Sequence, residues 1–274
     1  MEGLLDNPAV QAGIIPLIVA AVSGLILQRF GAIWTGLGFL LAFYTTVYLI
    51  IGFDISPLTS TRKIIILGFI AFLVGLSLDM KTIQKPILPF TLGLLVACGM
   101  LWIVWPVLMR KEGIELWTMA ISTSLYVAWL TVSYHKLQHQ TTRVTVSIFA
   151  LAMGTGVCAM LGASALLGQL GIAIGAAAGV FILFAFFFNH FKIANNYVFP
   201  SVLLCGYIGV GGVVYASLPW YSLLPLIFIP LVAQIPKLEN LAKYKQILLI
   251  CAFTLPLTGT AVILTWQQAG KMAY

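Results

Sequence analysis

The sequence predicts an all-α polytopic membrane protein, with about ten transmembrane helices arranged as two halves of five. Three observations predict it. Charged residues make up 8% of the chain and hydrophobic residues 61%, where a soluble protein carries about a quarter charged. The apolar runs approach the roughly 20 residues a helix needs to cross a bilayer's hydrocarbon core. Lys and Arg fall singly or in pairs between those runs and are unequally shared by alternate joints, which is a topology signal.

The runs read in order as Ala12 to Leu27, Ala32 to Phe53, Ile64 to Leu78, Ile87 to Leu108 and Leu116 to Tyr134, then Val144 to Leu161, Leu166 to Phe188, Val198 to Leu218, Leu223 to Ile235 and Ile247 to Trp266. They must be helices, because lipid offers backbone N–H and C=O groups no partner and the alternating pattern of a membrane barrel is absent. Two boundaries are faint in the sequence. The stretch from Val144 to Phe188 is interrupted only by the uncharged GASALLGQLG, and the ninth run is short and holds Pro225 and Pro230. The opening MEGLLDNP carries Glu2 and Asp6 where a cleavable leader would be basic, so the first run is expected to remain as a span. The chain reads as one transmembrane domain over 1–274, with repeat halves 1–138 and 139–274.

Ten spans put alternate joints on opposite sides. One side holds Arg29, Lys81, Lys85, Lys136, Arg143, Lys192, Lys237, Lys243 and Lys245 against Asp79 and Glu239. The other holds Arg62, Lys63, Arg110, Lys111 and Lys271 against Glu2, Asp6, Asp54, Glu112 and Glu115. The first side therefore carries the whole formal net charge of +7. The excess of Lys and Arg assigns it to the cytoplasm, with both termini outside, in the bacterial inner (plasma) membrane. Charge spread in this way marks topology and not a nucleic-acid site. Trp102, Trp105, Trp117, Trp220 and Trp266 fall near span ends on the outer side, as an interfacial belt would.

Sliding one half onto the other gives ordered matches. Gly68-Phe69-Ile70 meets Gly206-Tyr207-Ile208, Leu88-Pro89 meets Leu224-Pro225, Leu95-Val96-Ala97 meets Leu231-Val232-Ala233, and Ala120, Ser122 and Leu125 meet Ala252, Thr254 and Leu257. A half with five spans emerges opposite to where it began, so its copy is inverted, the symmetry many secondary transporters use around a site at mid-depth.

No charged residue falls near a span centre, which argues against proton coupling through a buried carboxylate. Asp79 with Lys81, and Asp54 with Arg62 and Lys63, read as interfacial pairs. Neutral polar residues are denser: Ser122 and Tyr126 on span five, and Thr254 and Thr258 on its repeat partner, span ten, are the candidate substrate-binding residues. Hydroxyls there can hold a polar solute, or they can bond their own helix or glue neighbouring helices. Gly171, Gly175 and Gly179 form a small-xxx-small stripe suited to close helix packing, including homo- or hetero-oligomer contact. Gly206 to Gly212 carry the same close-packing signal, and Gly209, Gly211 and Gly212 are also expected to bend or break span eight, where transporters expose backbone to substrate.

His135 and His139 have i, i+4 spacing but no Cys, Asp or Glu beside them to complete a metal site. Cys98, Cys158, Cys205 and Cys251 all fall in apolar runs and read as small packing residues. No metalloprotease, nucleophile-elbow or phosphate-loop motif is present, so the sequence is not read as an enzyme and implies no cofactor.

In span number, chain length and short loops the plan resembles the five-plus-five transporters of the drug/metabolite transporter superfamily. No motif is shared, and the charge pattern places both termini outside where that superfamily has them inside, so no functional residue is carried over. The expectation from sequence is a carrier or facilitator for a small neutral or weakly polar solute, in contact with the lipid bilayer. The alternative is a non-transporting membrane subunit or an assembly and docking factor.

Overall fold

The computed structural model describes residues 7–53, 56–80, 87–162, 164–238 and 241–272. Among them it has ten helices and no strand: α1 (Val10–Phe30), α2 (Ala32–Ile51), α3 (Ser60–Met80), α4 (Leu88–Leu108), α5 (Gly113–His135), α6 (Thr141–Gly162), α7 (Ala165–Phe187), α8 (Asn195–Tyr215), α9 (Trp220–Ala233) and α10 (Lys243–Met272). All but α9 are long and apolar enough to cross a membrane. Gly31, at φ 108°, and Gly52, at φ 78°, end α1 and α2 in a conformation that side-chain-bearing residues avoid.

Hydrogen bonds at the helix ends establish the alternation. On one face of the bundle Lys63, early in α3, donates to Trp102 near the end of α4, Tyr215 at the end of α8 donates to Ile103, and Tyr221 of α9 donates to Gln268 of α10. On the opposite face Asp79 of α3 meets the start of α8, Arg143 at the start of α6 donates to Ile235 beyond α9, and Lys243 at the start of α10 donates to Ala185 of α7. The second face carries Arg29, Lys136, Arg143, Lys192, Lys243 and Lys245, matching the partition read from the sequence, and is called the basic face. Trp102, Trp105, Trp117, Trp220 and Trp266 are all exposed, and all lie towards the first, or tryptophan, face.

Proline marks where the helices depart from regularity. α9 is a 3₁₀ turn over Trp220–Leu223 followed by two short α turns, Leu224–Ile227 and Ile229–Ala233, because Pro225 and Pro230 each withhold a backbone donor. In α4, Pro106 leaves the carbonyl of Trp102, one turn earlier, without its donor. The Lys63 ammonium supplies one at 3.0 Å and lies 5.1 Å from the centre of the Trp102 ring. Lys63 thus makes a bond within the bundle, while Asp54, its expected partner, falls outside the described residues.

α8 is the centre of the bundle, buried along nearly its whole length and packed by α2, α3, α4, α5, α6 and α7. Its small residues admit the neighbours: Gly206 faces Val127 of α5, and Gly209 faces Thr155 of α6 and Leu223 of α9. The break expected at its glycines is absent. Glycine lowers helix propensity by about 1 kcal/mol but keeps its hydrogen bond, so burial on all sides keeps α8 continuous, and the interruption falls at the prolines of α9 instead.

The basic-face end of α8 is held by a carboxylate from another helix. Asp79 accepts from the backbone N–H and side-chain amide of Asn195 and from the backbone N–H of Asn196, each at 2.9 Å. It caps two amides that a helix start leaves unpaired and places negative charge at the positive end of the helix dipole. Asn196, fully buried, donates to the Ile33 carbonyl of α2, and Gly36 and Gly75 have no room for a side chain beside it. Lys81, the partner expected for Asp79, lies outside the described residues.

The stripe Gly171, Gly175, Gly179 packs inside the chain. A Cβ on Gly171 would lie 2.6 Å from the Gly156 Cα of α6, and one on Gly156 would lie 2.7 Å from the Ile172 nitrogen. Gly175 faces Met153 and Gly179 faces Phe149, so close packing is the stripe's role, but against α6, and it is not a surface open to a second chain.

Gly171→Ala and Gly156→Ala should therefore each cost about 1 to 3 kcal/mol through overpacking. Gly179→Ala meets Phe149 at an ordinary 3.5 Å and should gain up to about 1 kcal/mol of helix propensity. Thermal denaturation of the three purified variants in detergent checks this, and equal midpoints would refute the α6–α7 contact. In the same assay Asp79→Ala should lose about 1.5 to 3 kcal/mol, the worth of a charged hydrogen bond.

Candidate functional site

Between α5, α8 and α9 lies a cavity of about 390 Å³. On α5 its lining descends turn by turn through Thr118, Met119, Ser122, Thr123 and Tyr126; Val210 and Val213 of α8 and Trp220, Leu223, Leu224 and Ile227 of α9 complete it. From Gly113 to Tyr126 helix rise gives about 20 Å, so the cavity reaches from the tryptophan face to mid-depth. Below it the Trp129 indole donates to the Ile227 carbonyl at 3.2 Å, across the interruption in α9, and ties α5 to α9.

The hydroxyls of this lining are not equivalent. Thr118 donates to Glu115 O at 3.1 Å and Thr123 to Met119 O at 2.7 Å, so both bond their own helix. Ser122 reaches Met119 O at 3.3 Å, long for a hydroxyl bond, and is exposed to the cavity. The Tyr126 hydroxyl is buried and has no hydrogen-bond partner. Such a group costs about 1 to 3 kcal/mol when nothing pairs with it.

Tyr126 also begins a polar column through the bundle centre. Its side chain lies in the neighbourhood of Cys205 on α8 and Cys158 on α6, and Tyr134 and Tyr197 lie in the neighbourhood of Cys205 in turn. Tyr134, two turns below Tyr126 on α5, faces Ser147 of α6. The Tyr197 and Thr155 hydroxyls are buried without partners, as Tyr126 is. Tyr134 and Thr131 line a cleft of about 10 Å³ with His135 and Asn195 on the basic face, room for about one water. The cavity and the cleft thus lie towards opposite ends of α5, separated by buried side chains that include Val127 and Leu130.

The structure brings Ser122 and Tyr126 together but not Thr254 and Thr258 with them. Thr254 is 2% exposed and donates to Ile250 O at 2.7 Å, while Thr258 donates to Leu255 O at 3.0 Å and turns its methyl towards Gly154 of α6. α10 packs against α6 and α9, and the cavity wall opposite α5 is α9. Sequence reasoning passed over Tyr134 and Tyr197, because both fall at span ends, in the last turn of α5 and the first of α8, where tyrosine is an ordinary interfacial residue.

Cys98 is exposed, Cys158 and Cys205 are buried and Cys251 is partly buried, all as free thiols. His135 lines the basic-face cleft, His139 lines a separate pocket, and no group of three metal-ligating side chains gathers among the described residues. A second large concavity, about 610 Å³ and apolar, runs between α4 and α5, where Gly93, Ala97, Ala120 and Ala128 leave space between Phe90, Trp117 and Trp129.

No protein-family model matches the chain, and no curated protein matches it in sequence.

Tyr126→Phe should leave the thermal midpoint of the purified protein unchanged or raise it, because it deletes a buried hydroxyl that makes no bond. Tyr207→Phe deletes a hydroxyl that donates to Val96 O at 2.9 Å and should cost about 0.5 to 1.5 kcal/mol. A destabilised Tyr126→Phe would mean that its hydroxyl is structural.

Proposed function

We propose that the protein is a carrier or facilitator for a small neutral or weakly polar solute, taken up in the cavity between α5, α8 and α9. The observation that carries this reading is Tyr126, which lines the floor of that cavity and whose hydroxyl, buried just behind it, has no hydrogen-bond partner. A solute hydroxyl, amide or carbonyl bonded to it would offset the cost of its burial. The volume falls within the range of about 300 to 1,000 Å³ typical of small-molecule pockets. No charge lines the cavity, which favours neutral solutes over ions. The polar groups below Tyr126 mark the route a solute would follow towards the basic face when the packing between them parts.

Helix pairing supports an inverted repeat underneath this. α1 on α2 answers to α6 on α7, α4 on α5 to α9 on α10, and α3 meets α8 and α2 meets α7 across the halves. The packing of α6 on α10 has no comparable contact between α1 and α5, so on this reading the second half is the more tightly closed. With the basic face cytoplasmic and both termini outside, in the bacterial inner membrane, the cavity faces outward.

A second reading, a docking subunit, is favoured by the apolar groove between α4 and α5, whose small residues suit a partner helix. On that reading the protein neither transports nor catalyses, Ala97→Leu would weaken co-purification of a partner, and Tyr126→Phe would be silent.

The test is swelling of proteoliposomes in a panel of small neutral solutes such as polyols, amides and alcohols, followed by light scattering. Tyr126→Phe and Ser122→Ala should each slow entry of the accepted solute several-fold, the loss expected from one neutral hydrogen bond of about 0.5 to 1.5 kcal/mol. Thr258→Val, outside the cavity, should behave as the parent. Entry of no solute above protein-free liposomes, or unaltered entry in both cavity variants, would remove the reading. Orientation has its own test: in a background lacking the native cysteines, a membrane-impermeant thiol reagent applied to intact cells should label a cysteine at position 111 and spare one at 192.

A further inference from the structure

A pocket of about 320 Å³ opens on the basic face where the start of α6, the end of α7, the segment leading into α8 and the start of α10 converge. Among the described residues its lining includes His139 and three cationic side chains, Arg143, Lys192 and Lys243, and no acidic one. Thr141 and Thr142 line it too, and they are the first residues of α6, whose opening amides have no acceptor within the helix. Positive side chains, hydroxyls and the positive end of a 22-residue helix therefore converge on one concavity.

A topology signal alone asks only for exposed charge on the correct side. Here Arg143 is 2% exposed, fixed by bonds to Gln140 and to the Ile235 carbonyl, and Lys243 is fixed by Ala185 O at 3.1 Å and the Asn189 side chain at 3.2 Å. These cations are held in place before any ligand arrives. Asp79, the one described acidic residue on this face, is occupied by Asn195 and Asn196.

We propose that this pocket binds the phosphate of an anionic phospholipid from the adjacent leaflet. The chemistry is that of a phosphate: Lys192 and Lys243 supply point charges, the α6 amides supply directed donors, and the buried Arg143 adds fixed positive charge behind them. The position selects the source, since the pocket lies at the helix ends, at headgroup depth, with apolar helix surface beside it for the acyl chains. The proposal stands apart from the transport reading, for it uses no residue of the α5–α8–α9 cavity.

The test uses the full chain in nanodiscs of phosphatidylcholine, titrated with phosphatidylglycerol, with native mass spectrometry of retained lipid and the thermal midpoint as readouts. Phosphatidylglycerol should be retained and should raise the midpoint, and added salt should weaken both effects. Lys192→Gln removes an exposed cation and should weaken retention about fivefold, the effect of one cation near a membrane surface. Lys243→Gln should do the same while keeping a donor for Ala185 O. Lys245→Gln, on the same face but outside the pocket, should retain lipid as the parent does. No preference for phosphatidylglycerol, or an equal loss in Lys245→Gln, would overturn the proposal. Inorganic phosphate in pure phosphatidylcholine nanodiscs is the remaining arm: if it raises the midpoint as much as the lipid does, the lipid assignment fails.

Discussion

A backbone amide or carbonyl that loses its partner inside a hydrocarbon slab cannot turn to water, and the cost of several kcal/mol must be met from within the chain. In this bundle the polar side chains go largely to that task. Lys63 serves the carbonyl freed by Pro106, Arg143 that of Ile235, Lys243 that of Ala185, and Gln234 that of Ser133 at 2.9 Å. Trp129 serves Ile227 across the interruption in α9, and Asp79 accepts from the two amides that open α8. Once these are assigned, the hydroxyls of Tyr126, Tyr197 and Thr155 remain at the centre with no such duty. They are the polarity that architecture does not explain, and Tyr126 among them lines the foot of the cavity.

The cavity lies between two unlike helices. α8 is continuous, walled by six neighbours and capped by Asp79, so its face is fixed. α9 is three short pieces, with two prolines and a tryptophan from α5 bonded across its gap. A wall of this second kind can change shape by remaking a few bonds, because its backbone ladder is already open. If a solute enters, α9 is the side with the least regular structure to lose.

The spans were legible because each leaves a run of apolar residues with polar punctuation. Even the faint boundary at GASALLGQLG separates α6 from α7, where Ser164 is extended just ahead of α7. The joint charges also sorted the described helix ends into two groups, and the structure gathers the basic group on one face. What could not be read was lateral arrangement. Every face of every span is apolar, so periodicity says little about which face meets a neighbour and which meets lipid. Ser122 and Tyr126 were found because polar groups at helical spacing stand out. Thr254 and Thr258 were joined to them through the repeat, which predicts equivalent positions in each half but not that the two meet at one site. The glycines of α8 carried two signals: close packing, which the approach of Val127, Thr155 and Leu223 bears out, and a break, which falls instead at the prolines of α9.

The charged side chains among the described residues all lie in the end turns of their helices or in the joints between them, from Lys63 in the first turn of α3 to Asp79 in its last. A membrane potential does work only on charge that moves through it, about 2.3 kcal/mol per elementary charge for each 100 mV. The column from Ser122 to Tyr134 holds hydroxyls and thiols and so offers the voltage nothing to pull on. A neutral solute passing along it would be driven by its own concentration difference alone, and the cell's electrical gradient would neither help nor hinder it.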